Sequence, residues 1–156
     1  VFGYVEDFDD NTLSDKWIND GGKHFNLTEN NKELKINASY NDQGWIPLSY
    51  QFPTISMMHT PSVTVNVKSD VAFILRIDLG DANSKSTNMN ELSIKIPASE
   101  TYQTYTFDFT GKFFQQYPNF DKVDVSKINT LFIYANPGKS FSGNIYFDNL
   151  IIGKKP

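Results

Sequence analysis

Apolar and polar residues alternate with period two along most of this chain. Ser62-Val63-Thr64-Val65-Asn66-Val67-Lys68 alternates without a fault, and the stretch Phe73–Leu79 sets Arg76 and Asp78 opposite Leu75, Ile77 and Leu79. Glu33–Ala38, Glu91–Ile96 and Tyr105–Phe109 follow the same rule. That period places successive side chains on opposite faces of a strand. Thr130–Ala135 and Asn144–Ile152 are more apolar and predict central strands. Turn-forming clusters punctuate the pattern: Asp20-Gly21-Gly22, Asn41-Asp42-Gln43-Gly44, Gly80–Asn83, Thr110-Gly111, Asn136-Pro137-Gly138 and Ser142-Gly143. The only helical hint is one short turn at Val125–Ile128. The pattern predicts a single domain over residues 1–156, all-β, a two-sheet antiparallel β-sandwich of about eight to ten strands.

Composition then narrows the chemistry. The 156 residues carry 14 basic and 18 acidic side chains, a net charge of −4, and Arg76 is the single arginine. This argues against nucleic acid, whose phosphates demand a basic patch, and against an anionic membrane surface. No apolar run approaches the ~20 residues that span a bilayer. Val1–Asp10 has neither a basic nor an apolar leader region, so no signal peptide is expected in it. Cysteine is absent, which excludes thiolate catalysis, disulfides and thiolate metal sites. His24 and His59 are too far apart in sequence to suggest zinc, and no nucleophile elbow, P-loop or dinucleotide fingerprint occurs. Asp78 and Asp108 are isolated acids rather than a glycosidase pair, so catalysis has no positive support.

Aromatics change the picture. With 13 Phe, 8 Tyr and 2 Trp, the chain has more Tyr and Trp than a core of this size holds easily, because each needs a partner for its polar end. Some are expected at a surface that binds something flat or sugar-like. The acids are also uneven. Glu6-Asp7-Phe8-Asp9-Asp10 packs four carboxylates into five residues, and Asp148 sits inside an apolar final strand. One reading is a calcium that joins the two ends, since calcium takes oxygen ligands. The other is that the N-terminal acids are solvated and Asp148 caps a bulge.

At these ends the chain resembles a known family. Glu6-Asp7-Phe8-Asp9, the tract Thr130–Asn136 and the closing Gly143–Gly153 resemble carbohydrate-binding modules attached to bacterial polysaccharide-degrading enzymes, in particular the β-jelly-roll modules of family 11 and their galactose-binding-like relatives. The resemblance implies a jelly roll whose concave face binds a polysaccharide chain, a β-glucan or a related plant or algal glycan. It implies a glycoside hydrolase in the same polypeptide, an extracellular bacterial setting, and a structural calcium held by Asp9 and Asp148 with Asp7 in addition. It also matches Tyr134 and Trp45 to the family's cleft aromatics, although Gly44-Trp45 stands where the family has Tyr-Trp.

The residues themselves extend this site. Trp45 lies on the opposite parity to Ile46, Leu48, Tyr50 and Phe52, and Tyr134 on the opposite parity to Leu131 and Ile133, so both are expected off the core. Arg76 and Asp78 share a face and could serve sugar hydroxyls as donor and acceptor, or form a plain surface ion pair. Tyr40 and Gln43 are rim contacts in the loop before Trp45, and Trp17 is expected to cover a loop. The expected product is a monomeric, non-catalytic module. Its rivals are a small jelly-roll glycoside hydrolase or polysaccharide lyase, and a structural or adhesive surface domain.

Overall fold

The computed structural model describes residues 1–19, 22–42, 44–115 and 122–156. Their strands are β1 (Gly3–Glu6), β2 (Trp17–Ile18), β3 (Phe25–Asn30), β4 (Glu33–Tyr40), β5 (Leu48–Ile55), β6 (Ser62–Ser69), β7 (Phe73–Asp81), β8 (Ser93–Ile96), β9 (Ser99–Asp108), β10 (Ile128–Ala135) and β11 (Phe141–Gly153). They form two antiparallel sheets, ordered β3-β4-β11-β6-β9 and β2-β5-β10-β7-β8. β1 joins the first sheet beside β11, with Gly3 opposite Gly153 and Glu6 opposite Leu150, so the first strand lies against the last. The chain is the two-sheet antiparallel sandwich its alternation predicts.

The core follows from parity. Leu34, Ile36 and Ala38 on β4, Val63, Val65 and Val67 on β6, Leu75, Ile77 and Leu79 on β7, Leu131 and Ile133 on β10, and Ile145 and Phe147 on β11 are all buried. Each of these side chains larger than Ala38 contributes roughly 1.5–3 kcal/mol on leaving water. The eleven strands among the described residues exceed the eight to ten expected, because β1 and β2 carry no alternation of their own. Pairing with β11 and β5 makes them strands, which is context acting where propensity is silent. Trp17 does not cover a loop. It is buried in the core, with ring centroids 4.5 Å from Tyr50 and 6.5 Å from Phe8.

β7 departs from simple alternation. Every residue from Leu75 to Asp81 is buried, including Arg76 and Asp78 on its outward side. Something besides the sandwich interior must cover that face.

Candidate functional site

The cover is the connection between β7 and β8. Gly80 bridges to Ser86, the Thr87 N–H donates to the Leu79 carbonyl at 2.8 Å, and the Asn88 N–H donates to the Phe114 carbonyl at 3.2 Å. This segment therefore pairs beside β7 at the sheet edge, and its side chains reach over the outward face to Arg76 and Asp78 and wall a cleft there. The same face carries Ser49 and Gln51 from β5 and Phe132 and Tyr134 from β10, whose inward neighbours Leu48, Tyr50, Leu131 and Ile133 are in the core.

Arg76 fastens the wall to the sheet. Its Nε donates to Asp78 Oδ2 at 2.8 Å, Nη1 to Asn90 Oδ1 at 2.8 Å and Nη2 to Asn88 Oδ1 at 2.6 Å. Asp78 Oδ1 accepts the Thr87 hydroxyl at 2.6 Å, and Thr87 Oγ1 in turn accepts the Leu79 N–H at 2.9 Å. Arg76 and Asp78 are each 2% exposed, which corrects the expectation of an outward pair on an open face. Their hydrogen-bonding capacity is largely spent on holding residues 87–90. Burial pushes the Asp78 carboxyl up, against the opposing pull of the Thr87 hydroxyl and the Arg76 charge. The result is a cleft floor whose two charges neutralise each other.

The aromatic side of the cleft is set by close backbone packing. At Gly44 an added Cβ would lie 2.1 Å from the Asn136 carbonyl oxygen and 2.6 Å from the Gly138 nitrogen, so no side chain fits. This accounts for Gly-Trp where the resembled family has Tyr-Trp: the preceding residue is pressed against the β10–β11 turn. That turn is pinned by Asn136, whose N–H donates to the Ile74 carbonyl at 2.8 Å and whose Oδ1 accepts the Ile74 N–H at 2.9 Å. Trp45 then packs its indole edge on Gly138 and stays 57% exposed. Its ring meets Tyr134 edge-on, centroids 6.0 Å apart, and the Arg76 guanidinium lies 5.3 Å from Trp45 and 5.7 Å from Tyr134. Burial, and then the charge of Asp78, pushes the Tyr134 phenol up.

Trp45, Tyr134, Arg76, Asn88, Gln115 and Ser86 line a hollow of about 280 Å³. Of the residues expected here, the structure thus brings together Trp45, Tyr134, Arg76 and Asp78. Tyr40 is not among them: it ends β4 facing inward, 7% exposed, with its hydroxyl donating to the Ala135 carbonyl. It belongs to the same alternating set as Leu34 and Ile36, which overrides its nearness to the Trp45 loop. Gln43 lies outside the described residues. Asn88, Asn90 and Thr87 were missed. The available signal was a lone arginine inside an apolar strand, followed by a run with several amide and hydroxyl acceptors.

The acidic ends form a separate region. The N-terminal acids cap their own loop: Glu6 accepts the Phe8 N–H, Asp7 the Asp9 N–H and Asp10 the Thr12 N–H. Asp148 is half-buried beside a register shift in β11, where its Oδ1 accepts the Asn149 N–H at 2.9 Å, so it does cap a bulge. Burial pushes its carboxyl up, and the charges of Asp9, Glu33 and Asp7 add to the shift. A cation near Asp148 would relieve that repulsion. Among the described residues no three acid or imidazole side chains converge on one point, so such a cation would draw on backbone carbonyls as well.

Comparison with known proteins gives the fold a precedent. No family model matches the chain, and no curated protein matches it. Among solved structures, a variant of a family 29 carbohydrate-binding module, made to probe ligand recognition, aligns with a TM-score of 0.58 at 15% identity, over 98% of this chain and 92% of that one. An agarase aligns with a TM-score of 0.66 at 10% identity, and an exo-β-agarase with 0.62 at 15%. Both cover 100% of this chain, which spans only 25% of either agarase. The fold is therefore the sandwich found in carbohydrate-binding modules and in part of polysaccharide-degrading enzymes. Among the described residues no helix is long and apolar enough to cross a membrane.

Proposed function

We infer that this domain is a non-catalytic carbohydrate-binding module. Its cleft takes a neutral polysaccharide chain, a β-glucan or a related plant or algal glycan, and keeps an attached extracellular glycoside hydrolase on its substrate. The observation that carries this reading is the exposed Trp45 set edge-on to Tyr134 over a charge-neutral floor, with Asn88, Gln115 and Ser86 beside it. Pyranose rings offer C–H groups that pack on an indole face and hydroxyls that suit amides. A neutral floor gives no preference for sulfated or uronic chains. The similarity of fold to a family 29 module and to parts of agarases supports both the ligand class and the attachment.

Catalysis has no support in the cleft. Asp78 accepts from Arg76 and Thr87, and both oxygens of the neighbouring Asp81 accept backbone N–H groups of Asn83, Lys85 and Asp124. Carboxylates so occupied are poor candidates for general acid and base.

Trp45→Ala is expected to weaken binding by roughly tenfold or more, and Tyr134→Ala by a similar factor, with melting temperature little changed for Trp45→Ala. Isothermal titration against cello-, manno- and agaro-oligosaccharides, alongside a reducing-sugar assay, tests this. Unchanged binding in both variants would move the site elsewhere. New reducing ends from the wild type would restore the enzyme reading.

We also propose a structural calcium at Asp9 and Asp148, with Asp7 in addition. A ligand at a hundredfold excess over its Kd adds about 2.7 kcal/mol to stability. Chelation is therefore expected to lower the melting temperature by roughly 5–10 °C, an effect that Asp148→Ala abolishes. A melting curve indifferent to chelator would remove the metal.

A further inference from the structure

The cleft continues past the Trp45 hollow. A second hollow of about 350 Å³ lies on the same sheet face, and Ser86 lines both. A row of paired residues crosses four strands there. Ile18 on β2 stands opposite Ser49 on β5, Ser49 opposite Phe132 on β10, and Phe132 opposite Asp78 on β7. Ile18 and Phe132 both point away from the core, and Ile18 is 45% exposed. The small Ser49 between them leaves a trough with an apolar side chain on either flank.

Gly80 deepens the trough. It lies opposite Thr130, two positions along from the Phe132–Asp78 pair and so on the same face, and an added Cβ would come 2.9 Å from Phe132 Cε2 and 3.2 Å from Thr130 Cβ. The ring therefore rests against bare backbone, and any side chain at position 80 would push it out into the hollow. Gln51 and Asn129 add neutral donors and acceptors at the rim. Asp81 and Lys85 also line the hollow with opposite charges, and the Asp81 oxygens accept the backbone N–H groups of Asn83, Lys85 and Asp124. An outward phenylalanine and isoleucine bordering a hollow lose apolar contact with solvent only when something covers them.

We propose that this hollow is a second sugar subsite, in which Phe132 and Ile18 take the C–H-rich face of a neutral pyranose while Ser49 and Gln51 take its hydroxyls. It rests on the reading of the Trp45 cleft as a glycan site and extends it: one chain fills both hollows and passes Ser86 between them. The domain then recognises a length of chain rather than a single sugar. Affinity rises from a disaccharide to longer oligosaccharides because the longer ligand reaches Phe132.

The test is the ratio of affinities for long and short members of one series of neutral oligosaccharides. Cello-, manno- and agaro-oligosaccharides from the disaccharide upward are the probes, titrated into wild type, Phe132→Ala, Ser49→Leu and Trp45→Ala. Phe132→Ala removes the platform and Ser49→Leu fills the trough, so both should cut the long-to-short ratio by about tenfold. Trp45→Ala should instead lower the affinity for the disaccharide itself. Both positions face outward, and unchanged melting temperatures will show that the variants fold. A wild-type ratio retained in Phe132→Ala and Ser49→Leu, with Trp45→Ala still impaired, overturns the second subsite and leaves the first. Wild type that binds no member of any series overturns both.

Discussion

Arg76→Ala is expected to destabilise the domain by about 3–5 kcal/mol and to abolish glycan binding, although Arg76 is nearly inaccessible to a ligand. Arg76 is 2% exposed and makes side-chain bonds to Asp78, Asn88 and Asn90. Removing it leaves the Asp78 charge buried without its counter-ion. It also frees the segment that carries Asn88, so the cleft loses a wall as well as a floor. Arg76→Lys should recover little, because an ammonium cannot reach three acceptors with the fixed fork of a guanidinium. The double change Arg76→Met with Asp78→Asn should recover much of the stability, since no uncompensated charge remains, but not the binding. Urea midpoints and calorimetric titration of the three variants give the answer. Arg76→Ala within 1 kcal/mol of wild type, roughly the worth of an exposed pair, would show that the clamp is not structural.

The fold was legible because the core writes itself into parity. Val63, Val65 and Val67, or Leu131 and Ile133, can only alternate that way if one face is buried. The same rule put Trp45 and Tyr134 off the core and set Phe132 beside Tyr134, so half of the cleft could be read from the strands alone. The other half comes from connections. Residues 86–90 have no pattern that says they fold back onto β7, and only the pairing of Gly80 with Ser86 and of Arg76 with two asparagines brings them there. Tyr40 misleads by its nearness in sequence to Trp45, whereas the parity of β4 turns it inward with Leu34, Ile36 and Ala38. Gly44 shows the reverse case. Its lack of a side chain is visible in the sequence, but the reason is a backbone 92 residues further on, at Asn136.

A domain that becomes less stable as the pH rises from 5 towards 8 is the expected consequence of Glu29. Its side chain faces inward on β3 with the parity of Phe25 and Leu27 and is 7% exposed. Oε2 accepts the Thr12 N–H at 2.8 Å, while Oε1 is buried without an N–H or O–H donor from the protein. Asp10 is its hydrogen-bonding neighbour, so a proton carried by Glu29 joins the two carboxyls. Burial first, then the bond to Asp10 and its charge, push Glu29 up to about 7, and the same bond holds Asp10 below its usual range. The folded pKa lies above the unfolded one, so the favourable contribution is complete below about pH 4.5 and is lost as the pH passes through 7. Asp108 and Asp124, held below the usual carboxylate range by the hydroxyls of Thr110 and Ser126, titrate beneath this window. Asp78 and Asp148, which burial pushes up, are common to wild type and a Glu29 variant, so the difference between the two proteins isolates Glu29. Glu29→Gln keeps an acceptor for Thr12 and a donor for Asp10 but cannot ionise. Its stability should match the wild type near pH 4.5 and exceed it by on the order of 3 kcal/mol at pH 8, roughly 5–10 °C in melting temperature. Melting curves of both proteins from pH 4.5 to 8.5, with chelator present to silence any cation, make the comparison. Parallel profiles would mean that Glu29 ionises in the folded state as readily as in the unfolded chain, and that Asp10 and Glu29 share no proton.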